Sequence, residues 1–446
     1  MIKLLAKVRV RTWFIIVTVI SVLERVVMYA CYRPVSYSDT NSYRRSAEAI
    51  LTGWKLYDGT RLPGYPIFLA ITGSDQHVYL AQLVLGMVTT LLVFYIGWRV
   101  SHKGWFAAVA ALAHALNLQQ LFFEADLISE SLTTFIVILT LAGAVTLFYL
   151  GKEAPFWKIL LFALWIGIAG STAALVRPLF VLLPFTAMLF FLFFGRSLRR
   201  IRWGSALVMG LVSLALIGSW VIFLHQRFNR WGFDTMTGYH LVQHTGAFFE
   251  YVPDQYAAIR DTFIRFRDEQ IAQTGTAANT IWNAIPTLQQ VSGLGFYDLS
   301  DTLAKISIQL IREHPGLYLQ SAWEGWLWFW KVPVYWSPAN IPSPFVASLV
   351  SKLVLVERAG MFLANIVFLG GSLALFWKKY RLIGRMDIFL WFTFFFIWLT
   401  SILQTFPDHG DNPRFSVPIQ TMIVFIALWW LGQIIQKRVE ARAKKC

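Results

Sequence analysis

Ser38-Asp39-Thr40-Asn41-Ser42-Tyr43-Arg44-Arg45-Ser46-Ala47-Glu48, followed closely by Arg61-Leu62-Pro63-Gly64-Tyr65-Pro66, forms a polar connector between apolar runs at 12–32 and 78–98. Each run has about the 20 residues that a helix needs to cross hydrocarbon. Similar runs recur at 105–122, 127–150, 156–176, 178–195, 203–224, 353–376, 386–405 and 415–435. Lipid offers no partner for free backbone groups, so such runs cross as helices. Hydrophobic residues make up 57% of the chain and its mean hydropathy is +0.56, well outside the balance of a soluble domain. The expected fold is an all-α polytopic membrane protein, a helical bundle of about ten transmembrane helices.

Basic residues favour cytoplasmic loops, which orients the bundle. Lys3, Lys7, Arg9 and Arg11 precede the first run, and Arg99 with Lys103 follow the second. Lys152 and Lys158 come next on that side, then Arg196, Arg199, Arg200 and Arg202. Lys378, Lys379, Arg381 and Arg385 continue the series, which Lys437, Arg438, Arg442, Lys444 and Lys445 close. Every second connector is basic, which predicts both termini inside. The net charge of +15 is then mostly a topology signal, set against anionic lipid headgroups. The basic residues form no contiguous stripe, which argues against nucleic acid as a partner. Cys31 and Cys446 fall on opposite sides and cannot pair.

The polar mass collects on the other face. It divides the chain into an N-terminal membrane module, 1–224, whose first external loop spans 33–77; a large extracytoplasmic loop, 225–345; and C-terminal helices with a basic tail, 346–446. Within the large loop, Ile259, Phe263 and Phe266 predict a helix over 254–272, and Leu303, Ile306 and Leu310 one over 301–313, ended by Pro315-Gly316. Trp323, Trp326, Trp328, Trp330, Tyr335 and Trp336 form an aromatic cluster suited to the headgroup layer.

Several residues on this face carry chemistry. Asp39 opens a helix-like run in which Arg44 and Glu48 are spaced to pair; as a bland alternative, Asp39 is only an N-cap. Glu124 and Asp126 flank the start of the fourth run, and Glu130 lies about one turn inside it, where an unpaired carboxylate is expensive. Arg177-Pro178 ends the fifth run, and Arg414 begins the tenth after Asp408-His409-Gly410-Asp411-Asn412-Pro413. Snorkelling explains one arginine at a span end, but not why all these groups share a face. His240 and His244 have helical metal-ligand spacing, yet no cysteine and no obvious carboxylate to serve as third ligand lies near them in sequence, so a structural or substrate-contacting role is expected. The same holds for Asp408, His409 and Asp411.

Asp39-x3-Tyr43 and Arg61-x-Pro63-Gly64-Tyr65-Pro66-x-Phe68-Leu69-Ala70 resemble the first external loop of the GT-C glycosyltransferases. The likeness is to the branch holding protein O-mannosyltransferases and the lipid A aminoarabinose transferase. Ser129-Glu130-Ser131-Leu132, Arg177-Pro178, His314-Pro315-Gly316-Leu317-Tyr318-Leu319 and Asn412-Pro413-Arg414-Phe415 extend it in order over about residues 33–418. The sequence departs in length: no soluble C-terminal domain like that of several relatives is expected to help recognise the acceptor. The resemblance implies a GT-C-like bundle in a bacterial inner membrane, with a polyprenyl-phosphate-linked sugar as donor. Asp39 would accept the proton of the acceptor hydroxyl, with Glu124 and Asp126 as alternative bases or orienting groups. Arginine suits a developing phosphate charge through its fixed, bidentate cation. Arg61, Arg177 and Arg414 are the candidates, with Lys55 and Arg45 behind them, and such cations would make a cofactor or divalent cation unnecessary. Tyr43, Tyr65, Glu130, His240, His244, Asp408 and Asp411 would contact substrate. The acceptor is a glycan, a lipid or a protein such as a pilin. Two other classes compete: a lipid-linked-glycan ligase or polymerase, which lacks this first loop, and a transporter, whose sites lie near the bilayer midplane.

Overall fold

The computed structural model describes residues 8–151, 153–376, 386–410 and 412–443. Asp411 lies outside them, as do Cys446 and, among the orienting basic residues, Lys3, Lys7, Lys152, Lys378, Lys379, Arg381, Arg385, Lys444 and Lys445. Helix α1 (Val10–Cys31) leads into the first connector, which folds as α2 (Ser38–Leu51) and α3 (Gly64–Thr72) before α4 (Asp75–Ser101) returns. The third apolar run is two helices, α5 (Gly104–Ala115) and α6 (Leu118–Ala125). Helices α7 (Glu130–Tyr149), α8 (Phe156–Val176), α9 (Leu182–Phe194, behind a 3-10 turn at Pro178–Val181) and α10 (Arg199–Phe228) complete the first module. The large loop holds α11 (Thr237–Thr245), α12 (Ala257–Thr274), α13 (Thr280–Ser292) and α14 (Phe296–Glu313). It is followed by α15 (Pro315–Phe329), α16 (Pro344–Ala374), α17 (Ile388–Leu403), the short α18 (Asn412–Phe415) and α19 (Val417–Ala443).

Among the described residues seven helices are long and apolar enough to cross a membrane, or eight if α5 and α6 count as one span; Pro178–Phe194 and α17 are shorter apolar helices. Each of the ten expected runs therefore has a helical counterpart, two of them short. Helix α7 is the centre: 83% of its apolar window is buried in protein, against 17% for α1 and α16, which turn their aliphatic faces outward.

The third run was expected to be one continuous span, and the structure bends it by 50°. The cause is polar. Asn117 accepts from the Gln120 amide at 3.0 Å, and Glu357 of α16 accepts from the amides of Leu118 at 2.7 Å and Gln119 at 3.1 Å. A helix start buried inside the bundle has free N–H groups, and these side chains satisfy them. The bend aims α6 at the first connector. There Val35 donates to the Ala125 carbonyl (3.0 Å) and accepts from the Leu127 amide (2.8 Å), and Thr40 donates to the Leu127 carbonyl (3.0 Å).

The large loop has a core of its own, built on Tyr239, Phe249, Phe263, Leu288, Leu299, Leu303 and Leu310. The helix expected over 254–272 is α12, preceded by a 3-10 turn at Asp254–Tyr256, and the one over 301–313 falls within α14, while α11 and α13 were not foreseen. Pro315 does follow the end of α14, but it also starts α15, since its missing N–H costs nothing in a first turn. Of the clustered tryptophans, Trp323, Trp326 and Trp328 sit on α15, Trp330 is its C-cap, and Trp336 stacks on Phe122 beyond it. Trp326 stacks on Trp398 (6.2 Å) and Trp330 on Phe368 (5.8 Å), docking α15 onto the bundle, while Trp323 stays 58% exposed.

Candidate active site

Asp39 is not a cap. Tyr37 is the N-cap of α2, and its amide donates to Thr40 Oγ1 (2.9 Å), which leaves the Asp39 carboxylate free to turn outward. Arg61 Nη2 donates to Asp39 Oδ1 at 2.6 Å, and Arg414 Nη2 donates to Asp39 Oδ2 at 2.7 Å. Arg414 Nε is 2.7 Å from Glu130 Oε1, an oxygen that also pairs with Arg177 Nη2. The outcome is an alternating chain, Arg61–Asp39–Arg414–Glu130–Arg177, drawn from the first loop, the starts of α7 and α18, and the end of α8.

Local structure explains each placement. Arg61 follows a tight turn in which Gly59 takes φ +72° and lies under Thr235 and Phe228, a position where a side chain would be strained and crowded. Tyr57 donates its hydroxyl to the Arg61 carbonyl, and the Thr235 amide donates to the Gly59 carbonyl (3.0 Å), so the large loop clamps this turn. Arg61 Nε donates to Ser42 Oγ (2.8 Å), and its guanidinium lies 4.7 Å over the Tyr43 ring. Arg177 Nε donates to Ser129 Oγ (3.0 Å), which also meets the Tyr43 hydroxyl (3.2 Å). Glu130 is fully buried; alone there its charge would be prohibitive, and two guanidiniums offset it. Glu130 Oε2 and Arg177 Nη1 are buried with no partner among the described residues, which leaves both an acceptor and a donor of that set unsatisfied inside the cluster.

The two aspartates near this chain are driven apart. Burial pushes Asp39 up, but Arg61 and Arg414 outweigh it and hold the carboxyl well below the usual carboxylate range. Burial and then the Glu130 charge push Asp126 well above that range, against the opposing effects of Tyr37 and Arg414. Asp39 keeps 21% of its side chain exposed, whereas Asp126 is fully buried.

Glu124 goes elsewhere. Its Oε1 accepts from Arg25 Nη2 of α1 at 2.6 Å, and Arg25 Nη1 also donates to Ser21 Oγ at 2.8 Å. Tyr43 and Tyr65 are buried behind the cluster, their rings 4.9 Å apart, with Tyr65 donating to Gln82 Oε1 (3.1 Å) and Gln82 Nε2 to the Glu124 and Asp126 carbonyls (3.0 and 2.8 Å). Arg44 pairs with Asp75 at 2.5 Å rather than with Glu48, and Lys55 and Arg45 are exposed outside the chain of contacts.

Beside Arg61, His240 Nδ1 meets Asp408 Oδ2 at 3.1 Å, and its Nε2 is 3.9 Å from Asp234. His244 turns to Ser321 Oγ (2.9 Å), and its ring lies 5.5 Å from that of His409. The two histidines of α11 thus have separate partners, and among the described residues no three His, Cys, Asp or Glu side chains converge as metal ligands. Ser42, Ser129, Gln82 and Asp234 were missed as supports. Of these, Ser42, within Asp39-x3-Tyr43, and Ser129, within Ser129-Glu130-Ser131, lay in motifs that marked the site.

Solved structures share this fold. The oligosaccharyltransferase of Archaeoglobus fulgidus in its apo form superposes with a TM-score of 0.51 at 14% identity, over 98% of this chain and 52% of that one. The archaeal oligosaccharyltransferase AglB from the same organism, in complex with an inhibitory peptide and a dolichol-phosphate, matches with the same score and identity over 98% and 51%. ArnT from Cupriavidus metallidurans bound to undecaprenyl phosphate matches more loosely, with a TM-score of 0.38 at 13% identity over 94% and 77%. The chain spans about half the length of the oligosaccharyltransferase it matches. No family model and no curated protein matches the sequence. At this identity the likeness establishes the fold, a GT-C-like helical membrane bundle of the kind the loop motifs led us to expect.

Proposed function

We propose that the protein is a membrane glycosyltransferase that moves a sugar from a polyprenyl-phosphate carrier to an acceptor hydroxyl at the extracytoplasmic face of a bacterial inner membrane, its termini inside. The carrying observation is the state of the three candidate carboxylates. Asp39 alone is both ionised and open to the surface; Asp126 is buried and pushed toward its neutral form, and Glu124 is tied to Arg25. That the A. fulgidus oligosaccharyltransferase of this fold is solved with a dolichol-phosphate supports the donor class.

The acceptor oxygen attacks the anomeric carbon, the carbon–oxygen bond to phosphate breaks, and polyprenyl phosphate leaves with the electron pair. Asp39 takes the hydroxyl proton, and the anomeric configuration inverts. A phosphate is already a good leaving group, so the protein chiefly aligns the hydroxyl and stabilises charge. Arg61 and Arg414 both hold Asp39, and Arg177 Nη1 has no partner among the described residues. An arriving phosphate shares these cations with Asp39. That loosens their hold on the carboxylate and raises its affinity for a proton when the acceptor is bound.

The test is purified protein in nanodiscs with a radiolabelled polyprenyl-phosphate sugar and candidate glycan, lipid or peptide hydroxyls. Acceptor-dependent release of polyprenyl phosphate, with no nucleotide added and with turnover kept in EDTA, is expected. Movement of the intact lipid-linked sugar across the bilayer without cleavage would mark a transporter and end the proposal. Loss of turnover in chelator, restored by manganese, would show that the arginines alone do not carry the phosphate charge.

A further inference from the structure

The end of the bundle opposite Asp39 holds a second concentration of fixed charge. Between α9 and α10 the chain turns through Gly195–Leu198, and a cavity of about 540 Å³ opens there, lined by Arg196, Ser197, Arg199 and Arg202 with Gly151 and Gly195. Among the described residues no carboxylate lines it. Arg202 Nη1 donates to the carbonyls of Leu192 (3.0 Å) and Phe193 (3.1 Å), which closes the end of α9 and fixes the guanidinium in the wall. The side chains of Arg196 and Arg199 are exposed.

Two features turn a basic span end into a site for an anion. Helix α10 begins here with Leu198 as its N-cap and no capping side chain, so the first amides of a long helix face outward at its positive end. Ser197 lines the cavity with 5% of its surface exposed, and its hydroxyl has no partner among the described residues; Arg202 Nε is buried and has none among them either. Buried polar groups left unpaired are rare, and these two donors call for an acceptor. The neighbouring surface has a different character. Leu198, which also lines the cavity, is 59% exposed, and Phe193, Phe194 and Trp203, next to lining residues in sequence, are 65%, 64% and 54% exposed.

We propose that this cavity binds the phosphate of an anionic phospholipid in the leaflet facing away from Asp39, the phosphate oxygens accepting from Ser197, Arg199, Arg196 and the first amides of α10 while the acyl chains lie on Phe193, Phe194, Leu198 and Trp203. Arginine suits a phosphodiester better than a point cation does, through paired donors and weak hydration. Helix α10 runs from this pocket to Phe228, beside the turn that carries Gly59 and Arg61. An occupied pocket would therefore anchor the helix that leads to the turn presenting Arg61.

The test is native mass spectrometry of the whole protein released from nanodiscs of phosphatidylcholine doped with phosphatidylglycerol. Phosphatidylglycerol should be retained at least tenfold over phosphatidylcholine, and Arg196→Ala with Arg199→Ala should abolish that preference with the melting temperature unchanged. Lys158→Ala, an exposed cation on the same face outside the cavity, should leave the preference intact. Ser197→Leu, which fills the cavity and removes no charge, should reduce retention as the double variant does. Equal retention of the two lipids would overturn the proposal, as would an equal loss in Lys158→Ala, which would mean diffuse surface attraction. Displacement of the retained lipid by millimolar inorganic phosphate would show a small-anion site in place of a lipid site, and would overturn it too.

Discussion

Asp39 is gripped by two guanidiniums, and a carboxylate so held is a weak base until something competes for its partners. Its folded value is depressed, so the stability it contributes is complete above the unfolded value of about 3.9 and is lost only in strong acid. The profile of kcat/KM, which reports the free enzyme, should therefore show no acid limb from Asp39 between about pH 5 and 8. The profile of kcat should show one, because bound phosphate shares the arginines; coincident profiles would mean that phosphate does not reach them. Asp39→Asn should preserve donor binding and lower turnover by about 10²–10⁴-fold, the usual general-base contribution. Near-wild-type activity in that variant would move the base to Asp126 or Glu124. Asp126→Asn should be much milder, since the amide imitates the neutral acid that burial favours. Arg61→Ala and Arg177→Ala should instead weaken donor affinity, because a contact made to ground-state phosphate is lost.

At the level of elements, what could be read in advance was whatever repeats locally. The apolar runs, the amphipathic spacing in α12 and α14 and the loop motifs around Asp39, Arg61, Glu130, Arg177 and Arg414 were all visible, because each is a short-range pattern. The pairing order was not: nothing near Glu124 in sequence says that its partner is Arg25, or that Asp39 takes Arg414 from the far end of the chain. The α5–α6 bend was missed for the same reason, although Asn117 and Gln120 in an apolar run are the local trace of a new helix start. Glu357 tests that account. Glu357→Ala removes the acceptor for two amides at a helix start inside the bundle, and should lower the melting temperature in detergent by an amount corresponding to about 1–3 kcal/mol. Glu357→Gln, which keeps one acceptor oxygen, should fall between; a silent alanine variant would show that the bend does not depend on α16. The clamp between α11 and the 406–410 segment is expected to titrate. Burial lowers His240, but the bond and charge of Asp408, then Asp234, outweigh it and the opposing Arg61, leaving it above 6.5. A raised folded value gives stability that is complete below about 6.5 and disappears as pH rises through that value. Melting temperature should thus decline from about pH 6.5 upward in the wild type, and His240→Gln should flatten that decline; parallel curves would place the pH dependence elsewhere.

For the molecule as a whole, sidedness decides whether the proposed chemistry is available at all. The Asp39 cluster, the large loop and the 406–410 segment share one end of the bundle, and the pocket at Arg196–Arg202 lies at the other. Lipid-linked sugars suit the face that lacks nucleotide-activated ones, so an inverted protein would need a different donor. The basic connectors predict that the Asp39 end lies outside. Thr274, at the end of α12, and Glu153, in the α7–α8 connector, are exposed on these two ends and stand apart from the site. In a Cys31→Ser, Cys446→Ser background, Thr274→Cys in intact spheroplasts should react with a membrane-impermeant maleimide. Glu153→Cys should react only after the membrane is opened. Both variants must retain turnover, so that labelling reports the folded protein. Reaction of Glu153→Cys in intact cells with protection of Thr274→Cys would turn the bundle over and place Asp39 among nucleotide sugars, and the lipid-phosphate donor would lose its main physical reason.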